Sequence, residues 1–127
     1  MERVQPGQIA TFMKRFRFQN GVLKRVRLQN RSRKEASLLL LLIVKEAKSG
    51  EKIRLKLQFD DVEEFRFQRR PAGGVVVLKE VHFGTFNGFI YLNLDAFDEP
   101  APQLMDFRAS DAYVGAKEMS FEIVVKK

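Results

Sequence analysis

Apolar and polar residues alternate with period two along most of this chain, the pattern of strands with one face buried and one face wet. Ile53, Leu55, Leu57 and Phe59 alternate with Arg54, Lys56 and Gln58, and Met119, Phe121, Ile123 and Val125 alternate with Ser120, Glu122 and Lys126. The tetrapeptide FRFQ occurs twice, at Phe16–Gln19 and Phe65–Gln68, and in each copy the rings fall on one face and Arg and Gln on the other. After the first copy, Asn20-Gly21 is a turn signal, beyond which Val22, Val26 and Leu28 are expected on one face and Arg25, Arg27 and Gln29 on the other. At the N-terminus Ile9, Phe12, Met13 and Phe16 fall at i, i+3, i+4 and i+7, which favours a short helix over Gly7–Phe16, although Phe12, Phe16 and Phe18 alternating with polar neighbours could also begin a strand.

Residues 32–50 admit two readings. Ser32-Arg33-Lys34-Glu35 has the form of a capping box ahead of a Leu-rich run that Gly50 would end, which favours a helix. A hairpin through Lys48-Ser49-Gly50-Glu51 accounts for this run and for the alternating strand after it, so two strands are the favoured reading, with Leu38–Val44 covered on both faces. Farther along, Asp60-Asp61 predicts a turn, Phe65 and Phe67 a strand, and Pro71–Gly74 a loop. Val75–Phe83 and Phe89–Leu94 form the clearest hairpin, turning at Asn87-Gly88. Asp95–Pro102 reads as an acidic loop, Leu104–Ala109 as a short strand, Ser110–Ala116 as a turn region, and the segment from Met119 as the last strand. The expected fold is all-β and mainly antiparallel, a β-sandwich or flattened open barrel of about eight strands in one domain spanning residues 1–127, with one short N-terminal helix. Val22–Leu28 also resembles Val77–Phe83, which leaves an internal duplication and chance likeness as alternatives.

Charge adds what periodicity cannot. The chain of 127 residues carries a net charge of +7, yet its first 34 residues hold +9 and the rest −2. A local excess of this kind raises a potential that attracts acidic surfaces or polyanions. The candidate partner-binding residues are Arg15, Arg17, Lys24, Arg25, Arg27, Arg31, Arg33 and Lys34. The apolar run Leu38–Val44 is far shorter than the roughly 20 residues a membrane helix needs, and there are no cysteines. These features, with no signal-peptide pattern, predict a soluble cytoplasmic protein without a membrane partner.

The inventory argues against common catalytic chemistry. With one histidine, His82, and no cysteine, thiolate zinc sites and Cys-His nucleophiles are excluded, and no nucleophile elbow or phosphate-cradling glycine loop occurs. No cofactor or metal is expected. The acidic groups Asp60, Asp61, Glu63 and Glu64, and Asp95, Asp98 and Glu99, adjoin turn signals, so solvated loop carboxylates outweigh a hydrolase pair, a distant alternative. Basic and aromatic residues interleave over Met13–Lys34 as in single-strand nucleic-acid grooves. Alternation on a strand, however, sends the rings into the core and leaves only the arginines for phosphates.

A spacing of apolar and turn residues carries one further signal: Phe16–Leu28, then Leu57, Phe59, Val62 and Phe65, then Phe107, Ala109 and Ser110 before Phe121–Val125. It resembles small uncharacterised bacterial all-β proteins grouped with immunity proteins of polymorphic toxin systems. That resemblance implies a non-enzymatic protein that binds and blocks a cognate toxin, although a basic chain is an unusual inhibitor for a nuclease. The reading is a protein-binding module whose basic N-terminal strand surface meets an acidic protein, with nonspecific nucleic-acid binding by the same residues as the alternative.

Overall fold

The computed structural model describes residues 1–30, 36–68, 76–96 and 102–124. Its strands are β1 (Glu2–Val4), β2 (Phe16–Asn30), β3 (Ala36–Glu46), β4 (Lys52–Phe67), β5 (Val76–Val77), β6 (His82–Phe86), β7 (Phe89–Asn93) and β8 (Ala112–Val124). Two helices join them, α1 (Ile9–Arg15), which follows a 3-10 turn at Pro6–Gln8, and α2 (Leu104–Arg108). All strand pairs are antiparallel, in the order β5-β2-β3-β4-β8-β7-β6. β1 pairs with β8, Glu2 opposite Phe121, on the edge that β7 uses farther along. The single sheet curls into a half-barrel, the open-barrel form of the expected all-β fold.

Period two decides which residues line the inside of the curl. Leu38, Leu40, Leu42 and Val44 of β3 and Leu55, Leu57 and Phe59 of β4 are buried, and they continue into Met119 and Phe121 of β8. The helix α1 fills the hollow these strands leave. Its Phe12 ring lies 5.3 Å from Phe16, 6.3 Å from Phe18, 5.9 Å from Phe83 and 5.0 Å from Phe121. Strands β2, β6 and β8 therefore converge on one ring. The predicted helix is present, and both rings of the first FRFQ are in the core.

Several expected turns are instead irregularities within long strands. Asn20-Gly21 does not reverse the chain; residues 18–21 of β2 bulge opposite Val44 alone, between the pairs Arg17–Lys45 and Val22–Ile43. Asn20 keeps the positive φ (67°) that made it look like a turn. A second register shift between Leu23 and Arg25 changes the facing of β2: Leu23, Val26 and Leu28 point inward, and Val22 points outward with Arg25 and Arg27. Asp60-Asp61 likewise lies inside β4, with Asp61 at φ 53° and a register shift between Val62 and Glu64. Bulges absorb an extra residue and bend a strand without ending it, which lets strands of 15 and 16 residues follow the curl.

Other expectations also change. Residues 36–46 are a strand, as favoured, but Leu39, Leu41 and Ile43 are only half-buried on the outer face, so the run is not covered on both sides. Leu104–Arg108 is a helix, not a strand, and the expected turn region at Ser110–Ala116 is mostly the start of β8. The hairpin at Asn87-Gly88 is present, but its first strand is divided: Val76–Val77 pairs with β2, and Leu78–Val81 crosses to β6. Val22–Leu28 lies within one strand while Val77–Phe83 spans this crossing, so the two similar segments are not equivalent units. The capping box at Ser32–Glu35 and the loop at Pro71–Gly74 lie outside the described residues.

The α1 ring is the keystone contact of this core. Replacing Phe12 with Ala is expected to destabilise the protein by about 3–5 kcal/mol, read as a lower urea midpoint with an unchanged m-value.

Candidate functional site

The outer face of the sheet divides into a covered half and a half that no described element covers. Over β7, β8 and the end of β4, helix α2 presses Phe107 onto Tyr91, Tyr113 and Phe86 to make a small second core. Gly115 permits this approach, because any Cβ there would run into the Tyr91 ring. Glu64 fastens the assembly. Its carboxylate accepts hydrogen bonds from the hydroxyls of Tyr91 and Tyr113 and from Nε and Nη2 of Arg108, all at 2.9 Å. Arg66 adds to it by donating to the carbonyls of Arg108 (2.9 Å) and Ser110 (3.3 Å), with its guanidinium 5.8 Å from the Tyr113 ring.

The electrostatics match this geometry. The Arg108 fork, with a smaller contribution from the two tyrosine hydroxyls, holds the Glu64 carboxyl down at about 2 against the opposing effect of burial. Burial and the nearby carboxylate raise both tyrosines above their ordinary value. A carboxylate so fully engaged stays ionised at neutral pH and has no readily exchanged proton, so Glu64 ties α2 to the sheet and is a poor general acid. His82 of β6 sits with Nε2 3.4 Å from the Glu80 carboxylate. No group of three or more His, Cys, Asp or Glu that could hold a metal occurs among the described residues.

No layer covers the outer face of β2, β3 and β4 among the described residues, and its pattern is cationic around an apolar spine. Leu39, Leu41 and Ile43 run up the middle, half-buried. Opposite them in register stand Arg27, Arg25 and Val22 on one side and Gln58, Lys56 and Arg54 on the other. One row of the sheet is cationic in all three strands, with Arg17 opposite Lys45 and Lys45 opposite Lys52. Like charges directly across an antiparallel ladder are unfavourable for the isolated fold. The long stems of Arg and Lys shield the spine while their charges remain in water. Lys56 reaches the carboxylate of Glu122 at 3.9 Å.

The wide bulge of β2 makes this face concave. A cavity of about 450 Å³ opens there, rimmed by Arg17, Gln19, Asn20, Lys45 and Lys52 and floored by Gly21, Ile43 and Val44. Gly21 is required by the close packing: an added Cβ would lie 2.7 Å from the Ile43 carbonyl oxygen and 2.9 Å from that of Phe18.

Of the residues singled out in the sequence, Arg17, Arg25 and Arg27 come together on this face. Lys24 is exposed at the second irregularity of β2. Arg15 lies elsewhere, at the end of α1, with its guanidinium 5.3 Å from the Phe16 ring and 5.2 Å from that of Phe121. Arg31, Arg33 and Lys34 are outside the described residues. Sequence reasoning missed Lys45, Lys52, Arg54 and Lys56, which belong to the nearly neutral remainder of the chain. Their signal was present in the outward positions of β3 and β4, but only the register brings them beside Arg17 and Arg25. No helix among the described residues is long and apolar enough to cross a membrane. No protein-family model, no curated protein and no solved structure matches the chain.

Glu64→Gln is expected to cost about 1.5–3 kcal/mol at pH 7, as charge-assisted hydrogen bonds to a buried partner do. Because the folded-state value is depressed from 4.5 to about 2, the unfolded chain binds the extra proton in that window. The stabilisation is therefore complete above about pH 4.5 and fades towards pH 2, and urea melts of both proteins across this range should converge at the acid end.

Proposed function

We propose that this protein is a non-enzymatic binding module that engages an acidic protein surface through the outer face of β2, β3 and β4. The observation that supports the reading is the bare face itself: a half-buried Leu39-Leu41-Ile43 spine flanked by Arg25, Arg27, Arg54 and Lys56, beside the Arg17-Lys45-Lys52 row. An apolar centre within a charged rim is the anatomy of a protein interface. Acidic groups of a partner relieve the repulsion that the cationic row imposes on the free protein. An immunity-type inhibitor, which the sequence resemblance implies, is one biological setting for such a module.

Nucleic acid would meet the same charges but find fewer further contacts. Phe16 and Phe18 are buried in the core and offer no stacking platform, and the centre of the face is aliphatic.

A labelled peptide rich in Glu and Leu, titrated by fluorescence anisotropy beside a random single-stranded oligonucleotide of equal charge, tests the choice. The peptide is expected to bind more tightly at physiological salt. Arg25→Ser with Arg27→Ser should weaken it severalfold while leaving the circular dichroism and melting midpoint near wild type, since exposed charges contribute roughly 0.2–1 kcal/mol each. Tighter oligonucleotide binding with a steep salt slope would replace this reading with the nucleic-acid one.

A further inference from the structure

Beside the cationic face, one side of β2 is unpaired over much of its length among the described residues. Strand β5 and Leu78 after it cover its edge from Asn20 to Leu23, and among the described residues no strand pairs with 24–30 on the side away from β3. The inner face next to this edge is unusually apolar for a surface. Val26 is 38% exposed, Leu28 42% and Phe65 43%. With Leu23, Phe67 and Val76 they line a groove of about 340 Å³ at the open end of the half-barrel. Natural edges are generally blunted by inward charge, proline or a bulge that turns them away. Here the charges point outward, and the inward side chains are Val and Leu.

We infer that residues 24–30 of β2 accept an extended segment of the acidic partner as an added strand, with alternate side chains of that segment divided between two environments. This rests on the proposed binding of an acidic protein and assigns how that partner is held. Backbone groups of the incoming segment pair with the N–H and C=O groups of β2 that no described strand engages, as in other strand-addition complexes. Positions beside Val26 and Leu28 face the groove and take Val, Ile or Leu. Positions beside Arg25 and Arg27 face outward and take Asp or Glu. The occupant is thus a strand of alternating acidic and apolar residues. A second copy of this chain fits poorly, because an antiparallel β2–β2 pair sets the outward arginines of one copy against those of the other, and like charges directly opposite repel.

Four peptides as long as this edge separate the outcomes by anisotropy: one with Glu at alternate positions and Val or Leu between, one of the same composition with its Glu residues in a block, and two versions of the alternating one N-methylated at every second residue, one in each frame. The alternating peptide is expected to bind, with the block peptide and one methylated frame weaker by about tenfold or more, the loss that goes with a few hydrogen bonds. Val26→Thr with Leu28→Thr, which places strand-favouring threonines at half-exposed positions, should weaken the alternating peptide and leave the block peptide unchanged. Equal binding of all four peptides would overturn strand addition and leave the acidic-partner reading in place. Absence of binding by any of them would overturn both. A concentration-dependent dimer that the alternating peptide dissociates would assign the edge to a second copy and also overturn the inference.

Discussion

One ring organises this molecule. Phe12, carried into the hollow of the curl by a helix of seven residues, touches aromatic side chains from β2, β6 and β8 at once. A curled sheet with one layer has a concave face too large for its own side chains to fill, and an unfilled hollow forfeits both dispersion contacts and apolar burial. The helix supplies the missing volume from within the chain. Its ends bind it to the same sheet: β1 precedes it on the edge of β8, and Phe16 and Phe18 follow it into β2.

Filling the inside leaves the outside to be dealt with, and the two halves of the outer face are handled differently. Over β7 and β8, small residues in the sheet let aromatic rings lie close, and α2 closes the patch with Phe107. Glu64 satisfies two phenols and a guanidinium together, so the buried hydroxyls of Tyr91 and Tyr113 are both paired. Over β2, β3 and β4 no such cover exists among the described residues. Aliphatic side chains are shielded there only by the stems of arginines and lysines, whose charges stand across from one another. One half contributes stability. The other half accepts some internal repulsion, and that asymmetry motivates the assignment of binding to it.

The irregularities of β2 connect these features. Its wide bulge opens the concavity between Arg17 and Lys45, and its second register shift turns Val26 and Leu28 inward while keeping Arg25 and Arg27 outward. An unbroken alternation from Val22 would instead place Val22, Val26 and Leu28 on one face. Two small insertions therefore determine which residues form the cationic face and which line the groove beside it.

Sequence alone determined the all-β class, the inward facing of the first FRFQ and the outward facing of Arg25 and Arg27, because each follows from local periodicity, and it favoured the α1 helix over a strand. The second FRFQ shows where that logic stops: Phe65 points inward as its position requires, yet it is exposed, because burial depends on whether the curl has closed over that end. Asn20-Gly21 and Asp60-Asp61 carry the residues of turns and the positive φ of turns, but partner strands continue past both and make them bulges. Leu104–Arg108 is too short for its period to separate helix from strand, and packing of Phe107 on Tyr91 decided it. Only tertiary structure could join Arg17 to Lys45 and Lys52, or Glu64 to Arg108. Registry between strands is a long-range property, and no local pattern encodes which outward side chains stand across from one another.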